Sequence, residues 1–442
     1  MASLSAESES QVRLAPWELA LGPIAAVVVA AALIAPRATP GLLAALLAVL
    51  LLCLPRPGGG RSMAMPALGP LAIIAGALGL YLALNATWSA SRSEAFGKAA
   101  FYGYVLAAVS LAAGAAASMG KGAAEEVRLS RLAQGIILGF AAGLSFLVIE
   151  AVAAHPVKRV VYSILHWARP DPKHIVTAAD GSVQAIGHYV LNRGLAVMNL
   201  ALWPVLALVV LQVRNSGLRT AVMGLLLALA AVGVAFSEHE TSMLALAGAL
   251  ITFAGMRLVG RAFRWAVLVG WIGAVLLVVP LALSAHSAGL HQASWLPQTG
   301  RNRIILWNVT ATETLKRPIL GVGVAATKEL DEARIELAKP APGNAYPERT
   351  GRHAHNIYLQ TWYELGAVGA AGLLALGLAI LGWLWRLPEG VQPYAFAGFV
   401  SAAVIGAFSW GLWQVWFLGA YAMAALLTVF ATALWHRLDG PR

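Results

Sequence analysis

The chain has 442 residues, of which 59% are hydrophobic and only 12% are charged, whereas soluble domains carry roughly a quarter charged residues. This composition excludes an ordinary water-soluble domain and indicates a membrane protein. The formal net charge is +11, but the 31 basic residues are dispersed among loops and form no aromatic-interleaved basic domain of the nucleic-acid-binding kind. Anionic membrane lipids and diphosphates are therefore the expected partners, and no nucleic acid is expected.

Apolar segments follow one another along the chain, and twelve of them are long enough, or nearly so, to cross a hydrocarbon core of ~30 Å. The polar residues 1–13 lead into a full-length apolar stretch without the pattern of a cleavable signal peptide, which predicts a retained first helix. The second, seventh and eighth segments are short. The predicted spans are 17–36, 40–55, 67–86, 98–118, 135–154, 194–213, 220–236, 241–256, 265–285, 356–385, 394–410 and 412–435.

Basic residues in the short connections predict the orientation of these spans. With the amino terminus inside, the short inner segments hold 14 basic residues and the short outer ones hold three. Basic residues favour the cytoplasmic side, so both termini are predicted to be cytoplasmic in a bacterial inner membrane. The long connections 155–193 and 286–355 are then periplasmic, and the positive-inside rule tolerates their basic residues because long loops escape it.

The long connections divide the chain into three parts. Residues 1–285 hold nine spans and the connection 155–193, residues 286–355 form a large loop, and residues 356–442 hold the last three spans. The large loop contains five prolines, yet helical stretches are predicted at 302–316 and 327–338. A structured loop of this size is usually functional. The predicted fold is therefore an all-α polytopic membrane protein with a partly helical periplasmic loop between spans nine and ten.

The sequence lacks the residues and motifs that several kinds of enzyme chemistry require. The only cysteine, Cys53, lies in an apolar run, so neither a disulfide framework nor a thiolate metal site is expected. The four aspartates form no DxD or DD pair, and no P-loop, GxSxG or HExxH motif is present. The segment 237–242 holds two acids and His239, which are too few converging ligands for a metal and indicate a solvated turn or a substrate contact. Neither a metal nor a cofactor is predicted.

Arginines near the predicted helix mouths are candidates for binding an anion. Arg193 opens the sixth span, where an arginine alone is more often an anchor to lipid head groups. Arg301 and Arg303 lie at the start of a predicted loop helix, and Trp307 falls on the same helical face as Arg303. A guanidinium keeps its charge and forms paired hydrogen bonds with phosphate oxygens, which suits it to bind a diphosphate.

His355 begins the tenth span and is the candidate general base. Alone it is a polar residue at a helix N-terminus, but the helix dipole and neighbouring arginines such as Arg352 disfavour the imidazolium form. The neutral ring that remains is able to accept a proton. His353, two residues earlier, competes for this role.

Three residues within the tenth span have alternative interpretations. Glu364 is an ionisable residue inside a span, which favours a function, but a hydrogen bond to a neighbouring helix explains it equally well. Gly366 and Gly369 are three residues apart and predict a close contact between two helices.

The region around His355 resembles the signature of the O-antigen ligase and polymerase superfamily. The matching pattern is His355-Asn356, nine residues, Gly366, two residues, and Gly369. Its spacing favours His355 over His353 as the base.

The preceding loop carries further resemblance to this superfamily. Arg303, four residues before Trp307, and the segment PILGVG at 318–323 resemble the large-loop segment that leads to the histidine. Arg193 in the earlier long connection matches the second functional arginine of the superfamily, although little motif flanks it. Specific motifs are confined to about 300–370, whereas the predicted topology agrees throughout.

The resemblance implies an inverting, metal-independent glycosyltransferase of the GT-C-like class. The implied donor is an undecaprenyl diphosphate-linked O-antigen, and the implied acceptor of a ligase is lipid A–core. Our hypothesis is that Arg193 and Arg303 hold the diphosphate while His355 deprotonates the acceptor hydroxyl. Secondary candidates are Arg301, Arg352, Asn356 and Glu364.

Two alternative functions remain open at this point. An O-antigen polymerase or a protein O-oligosaccharyltransferase of the same superfamily would share the arginines and the histidine. A lipid-linked glycan flippase or transporter would bind the diphosphate without bond chemistry, but few ionisable residues lie deep in the spans, which disfavours proton coupling.

Overall fold

The computed structural model describes residues 14–53, 69–118, 122–335, 340 and 346–438. The structure is 78% helical with almost no sheet. In chain order the α-helices of this part of the chain are α1 (Pro16–Ile34), α2 (Thr39–Leu52), α3 (Pro70–Asn85), α4 (Arg92–Ala117), α5 (Ala123–Val152), α6 (Pro156–Ile164), α7 (Asn192–Gln212), α8 (Ser216–Ala235), α9 (Glu240–Leu258), α10 (Arg261–Leu276), α11 (Val278–Ser287), α12 (Gln298–Thr314), α13 (Thr327–Glu332), α14 (Ile357–Leu384), α15 (Gln392–Phe408) and α16 (Val415–Leu438).

Apolar helices occur at all twelve positions where the sequence predicts spans. In the described residues, nine helices are long and apolar enough to cross a membrane, and α10 with α11 makes a tenth if this pair, bent by 69°, is one span. Two shorter apolar helices occupy Pro36–Leu52 and Gln392–Phe408. The class of an α-helical, multi-pass membrane protein is thus confirmed, and the count of twelve spans stays a prediction. The polar segment 1–13 lies outside the described residues, as do some of the basic residues counted in the short inner segments, among them Arg56 and Arg61.

Small residues bring α1 and α5 together. A Cβ atom added to Gly135 would overlap the carbonyl of Gly22, and one added to Gly139 would overlap the carbonyl of Ala26. The two glycines of α5 are four residues apart and lie on the same face of the helix, so the two backbones touch. Only glycine fits at both positions, because a side chain on either would overlap the backbone of α1. Such close backbone contact matters inside a bilayer, where apolar burial does not drive helices together.

The helix α7 lies at the centre of the bundle, with residues 194–209 all buried. At its first turn, a Cβ atom on Gly194 would clash with the carbonyl oxygen of Leu33 near the end of α1. This contact brings the turn Pro36–Ala38, which follows α1, beside Arg193. The start of α7 is therefore built against the short connection between the first two helices.

Both long connections lie at one end of the bundle, which we call the loop end. Tyr162 of the first connection lies near enough to Arg37, in the turn after α1, for the charge of Arg37 to act on it, and Arg303 of the second connection lies near enough to His239, before α9, to lower the pKa of His239. The opposite end carries ion pairs between helix termini, including Arg128 with Glu18 at 2.5 Å and Arg437 with Glu125 at 3.5 Å. The periplasmic orientation of the loop end remains a prediction.

A break in α14 receives the loop that follows α12. Gly366 has φ +63°, outside the helical region, and its neighbour Ala367 donates its N–H to the carbonyl of Pro318 at 2.8 Å. In return, Gly323 donates its N–H to the carbonyl of Glu364 at 2.9 Å. The loop backbone thus satisfies groups that the interrupted helix leaves unpaired.

The predicted helix–helix contact of Gly366 and Gly369 is wrong. The atoms nearest to a Cβ on Gly366 belong to the backbone of residues 319–321, which is a loop. The atoms nearest to a Cβ on Gly369 belong to Leu365 of the same helix. Residue 366 has to be glycine because its φ is positive and the loop backbone touches it where a side chain would stand. The spacing of glycines in the sequence does not reveal either condition.

The long connections contain more structure than the sequence predicts. Residues 155–193 include an antiparallel hairpin of β1 (Ile175–Thr177) and β2 (Val183–Ile186), which is too short and too exposed to show a clear alternating pattern. In the second connection, α12 begins at Gln298, four residues before its predicted start. The helix α13 begins at Thr327 as predicted and ends at Glu332, while the predicted residues 336–338 lie outside the described part.

Candidate active site at the loop end

His355 lies two residues before the start of α14 and has an uncommon backbone conformation, with φ +54°. Its Nδ1 lies 2.5 Å from the carbonyl oxygen of Ser409. A carbonyl only accepts hydrogen bonds, so Nδ1 carries the proton and donates it to this oxygen. Nε2 of the neutral ring is then an acceptor, and it forms no hydrogen bond with the described residues. This arrangement prepares Nε2 to take a proton.

The surroundings of His355 keep its ring neutral. Burial lowers the pKa of His355 from its usual range, and the positive charge of Arg303 lowers the pKa further. The hydrogen bond with the Ser409 carbonyl acts in the opposite direction but does not cancel the burial. At neutral pH the imidazole is therefore unprotonated, as a general base must be.

His353 lies close to His355, with 4.2 Å between the ring centroids. Its Nε2 is buried and has no hydrogen-bond partner in the described structure. Burial, followed by the neighbouring His355 and Arg352, lowers the pKa of His353 to about 3. The ring packs beside Gly411, where an added Cβ would meet it at 2.7 Å. The Nε2 atom of His353 is thus buried, although the side chain as a whole is partly exposed.

Two contacts hold the His355 turn in place. Asn356 is the N-cap residue of α14, and its side-chain oxygen accepts the N–H of Leu359 at 3.0 Å. Trp307 of α12 donates its indole N–H to the carbonyl of Ala354 at 2.8 Å. Asn356 therefore orients the start of the helix, and Trp307 ties the helix of Arg303 to the same turn.

Arg303 lies one helical turn before Trp307, and its side chain is half-buried. Burial lowers the pKa of its guanidinium, and the negative charge of Glu240 partly offsets this effect. The charge of Arg303 lowers the pKa of both His355 and His239, so Arg303 lies near both histidines. Among the described residues, no acceptor forms a hydrogen bond or an ion pair with Arg303.

Arg193 reaches the same region from the first turn of α7. Its guanidinium carbon lies 5.6 Å from the ring centroid of Trp416, a cation–π contact. The Trp416 ring meets Trp410 at 4.7 Å, and Trp410 meets His239 at 5.4 Å. A row of aromatic rings thus joins Arg193 to the surroundings of Arg303. The Nε atom of Arg193 is buried and has no hydrogen-bond partner within the described chain.

Three of the secondary candidates have local partners. Arg301 donates to Gln298 at 2.5 Å on its own helix. Arg352 is exposed and forms an ion pair with Glu332 at 2.9 Å. These contacts give the two arginines no direct part in the space around His355. Asn356, as described above, acts on the start of α14.

Glu364 is completely buried and serves as a shared acceptor. Its carboxylate accepts the backbone N–H groups of Ala325 and Thr327 and the side-chain amide of Gln360, each at 3.2 Å. It also accepts the Thr327 hydroxyl and the indole N–H of Trp413. The side chain joins α14 to the start of α13 and to the segment before α16. This geometry favours the structural interpretation of Glu364.

Two further residues lie near the candidate site: His239, for which the sequence left a solvated turn or a substrate contact open, and Arg37, which the sequence analysis did not propose. His239 is buried, its Nδ1 lies 2.7 Å from the Ser242 hydroxyl, and burial followed by the charge of Arg303 lowers its pKa to about 4. Arg37 is exposed in the turn after α1, near enough to repel Arg193. A signal was present for Arg37, because it is one of only three basic residues in the short outer connections, where positive charge is disfavoured.

No group of three or more histidine, cysteine, aspartate or glutamate side chains in the described residues is arranged to hold a metal ion. Positive charge at the loop end comes instead from arginines. The loop end thus brings together a histidine whose Nδ1 is hydrogen-bonded to a carbonyl and two arginines that have no acidic partner within hydrogen-bonding distance in the described residues.

Comparison with known proteins shows what part of the chain is similar to a described family. A sequence model described as O-antigen ligase matches residues 225–374, a range that includes Arg303 and His355 but not Arg193. This match covers about a third of the chain, and it agrees with the resemblance seen in the sequence around His355.

Relatives in three Rickettsia species carry the provisional name polysaccharide ligase. The protein of Rickettsia conorii is 25% identical over 52% of this chain and 55% of its own length. Those of Rickettsia prowazekii and Rickettsia felis are each 24% identical, over 52% and 53% of this chain and 56% of their own lengths. The chain thus matches just over half the length of these relatives.

Proposed function

We propose that the protein is an inverting, metal-independent glycosyltransferase that moves an O-antigen glycan from undecaprenyl diphosphate to lipid A–core. The observation that carries this proposal is the state of His355. Its Nδ1 proton is committed to the Ser409 carbonyl, its Nε2 is available, and the unpartnered guanidinium of Arg303 is close enough to influence its pKa. A base beside an anion-binding group is what transfer from a glycosyl diphosphate requires.

The proposed reaction is a single displacement. His355 Nε2 takes the proton of an acceptor hydroxyl as the hydroxyl oxygen forms a bond to the anomeric carbon of the donor sugar. The bond from that carbon to the diphosphate oxygen breaks, and the diphosphate leaves with the electron pair. Because attack and departure occur on opposite faces of the sugar, the configuration of the anomeric carbon inverts.

Arg193 and Arg303 stabilise the departing diphosphate in this proposal. Each is half-buried, and neither has an acidic partner within hydrogen-bonding distance in the described chain, so their charges are available to a ligand. A guanidinium presents paired N–H donors that match phosphate oxygens and stays charged when buried. The arginines thereby supply the charge stabilisation that a metal ion would otherwise give.

The decisive experiment is transfer by the purified protein from a polyprenyl diphosphate-linked glycan. Three acceptors are compared: lipid A–core, a second lipid-linked glycan and pilin. Product with lipid A–core supports the ligase, while product with only the second or third acceptor makes the protein a polymerase or a protein O-oligosaccharyltransferase. Movement of the donor across liposomes with no joining to any acceptor would instead support a transporter.

The proposed periplasmic site gives a labelling prediction. In a Cys53→Ser background, we expect Trp295→Cys to react with a membrane-impermeant maleimide in spheroplasts, because residue 295 lies in the second long connection and is 74% exposed. Arg386→Cys, at the exposed opposite end, should react only after the inner membrane is permeabilised. The reverse pattern would contradict both the orientation and the periplasmic site.

The hydrogen bonds of Glu364 predict a loss of stability when the carboxylate is removed. Glu364→Ala leaves buried N–H groups of Ala325, Thr327 and Trp413 without acceptors, at a cost of about 1–3 kcal/mol for each such group. Glu364→Gln keeps one acceptor oxygen and should be milder. We expect thermal unfolding in detergent to begin several degrees lower for the alanine variant. A variant that melts like the wild type but transfers no glycan would make Glu364 a catalytic residue.

A further inference from the structure

The short helix α6, in the first long connection, turns its apolar side chains away from the protein. Val157, Val160 and Ile164 are three and four residues apart, so they share one face of the helix. All three are exposed, Ile164 to 71%. Trp167, three residues further on, is 84% exposed. No element of the described chain covers these four side chains, which we call the α6 face.

Polar side chains of α6 point in the opposite direction, toward the β-hairpin. The Oγ atom of Ser163 accepts the backbone N–H of Val183 at 2.8 Å, and Arg159 donates to the carbonyl of Gln184 at 3.4 Å. A surface helix in water has the reverse arrangement, with its apolar side against the protein and its polar side in the solvent. The reversed polarity of α6 therefore indicates that its outer surroundings are apolar.

The preceding helix α5 shows what these surroundings are. Its exposed side chains recur every three or four residues and change from polar to apolar along the helix. Arg131 and Gln134 come first, and Leu138, Ala142, Ile149 and Val152 follow. From residue 135 to residue 152 an α-helix rises by about 27 Å, which is close to the ~30 Å thickness of the hydrocarbon core of a bilayer. Val152 thus lies at the edge of that core.

The start of α6 is fixed to this end of α5. Ala154 and His155 have φ values of +55° and +64°, so the chain leaves the helical path between the two helices. The buried carboxylate of Glu150 accepts the backbone N–H groups of Val157 at 2.8 Å and of Lys158 at 3.2 Å. These N–H groups belong to the first turn of α6 and have no partner within the helix. Because Glu150 holds them, α6 begins at the depth of the lipid head groups.

We propose that the α6 face lies in the bilayer, at the boundary between head groups and acyl chains in the leaflet at the loop end. A helix with apolar side chains on one face, accompanied by an exposed tryptophan, is typical of this boundary. The bilayer is the occupant because the α6 face follows directly on Ile149 and Val152, the exposed apolar residues at the end of α5. The proposal does not depend on the reaction assigned to His355.

This contact would hold the first long connection at a fixed height above the membrane. Ser163 bonds α6 to β2, and β2 leads through residues 188–191 into the first turn of α7, where Arg193 lies. The segment that ends at Arg193 would therefore be positioned from both sides, by the core of the bundle and by the head groups.

Spin labels on single cysteines test the contact. In a Cys53→Ser background, a nitroxide is attached at Val160→Cys or Ile164→Cys, and the protein is placed in phosphatidylcholine nanodiscs. Leu138→Cys, exposed in the middle of α5, is the lipid control, and Ala179→Cys, exposed at the turn of the hairpin, is the water control. Relaxation of each label by oxygen, which concentrates in lipid, is compared with relaxation by a water-soluble nickel complex.

We expect the ratio of oxygen to nickel relaxation at residues 160 and 164 to exceed the ratio at residue 179 several-fold. It should lie below the ratio at residue 138, because an interfacial helix is buried only about 5–10 Å into the boundary. Since the contact is apolar, adding anionic phosphatidylglycerol to the discs should leave the ratio unchanged.

A ratio at residues 160 and 164 equal to that at residue 179 would place the α6 face in water and overturn the proposal. Weak relaxation by both reagents would mean that protein covers the face, a second copy of the chain for example, and would overturn it equally. A ratio that rises only with phosphatidylglycerol would make the contact electrostatic and would also reject an apolar anchor. Glycan transfer does not enter the measurement, so its result is separate from the fate of the proposed function.

Discussion

We expect His355→Ala to lower the rate of glycan transfer by about 10²–10⁴-fold, the contribution of a general base in enzymes. The ring that accepts the proton is lost, while Arg193 and Arg303 remain to hold the donor diphosphate. Donor affinity should therefore change by no more than a few-fold. Binding and transfer are measured on one purified preparation with a labelled lipid-linked donor.

His353→Ala is the matched control for this prediction. His353 is the nearest histidine, but its Nε2 is enclosed by protein, so its removal should leave transfer almost normal. Thermal unfolding of both variants separates a chemical effect from a loss of structure. Transfer by His355→Ala at the wild-type rate would reject His355 as the base.

The pH dependence of transfer follows from the same residue. Burial and Arg303 lower the pKa of His355, so the neutral base should persist below the ordinary histidine pKa of ~6.5. We expect kcat/KM to stay constant as the pH falls from 7 to that value and to decline only at lower pH, as one proton is taken up. Arg303→Ala should move this decline to higher pH because it removes a charge that opposes protonation.

The second large effect concerns the shape of the cation at position 303. We expect Arg303→Lys to be nearly as damaging to transfer as Arg303→Ala, because an ammonium is a point charge and lacks the planar pair of donors that grips a diphosphate. The loss should appear in the transfer rate and in donor affinity, since the diphosphate is present before and after the sugar departs. Both quantities are measured with the lipid-linked donor.

Arg301→Ala is the control for Arg303. Its guanidinium already bonds Gln298 on the same helix, so its removal should have a milder effect than either change at 303. Wild-type transfer by Arg303→Lys would show that general electrostatic attraction suffices and that the paired hydrogen bonds are unnecessary.

The sequence alone determined the class of the protein and the identity of its main candidate residues. A membrane-spanning segment is a long run of uncharged residues, because a bilayer offers no water to polar side chains. In the described residues, an apolar helix occurs at each of the twelve predicted positions. The short motif around His355 produced the resemblance to the O-antigen ligase superfamily because its residues lie close together along the chain.

The tertiary structure decided how those residues are used. Only folding brings the Ser409 carbonyl to Nδ1 of His355, and only folding aligns Arg193, Trp416 and His239 in one region. The break at Gly366 likewise depends on a loop that is distant in sequence. Such contacts join residues far apart in the chain, and their energies depend on burial and geometry that residue spacing does not encode.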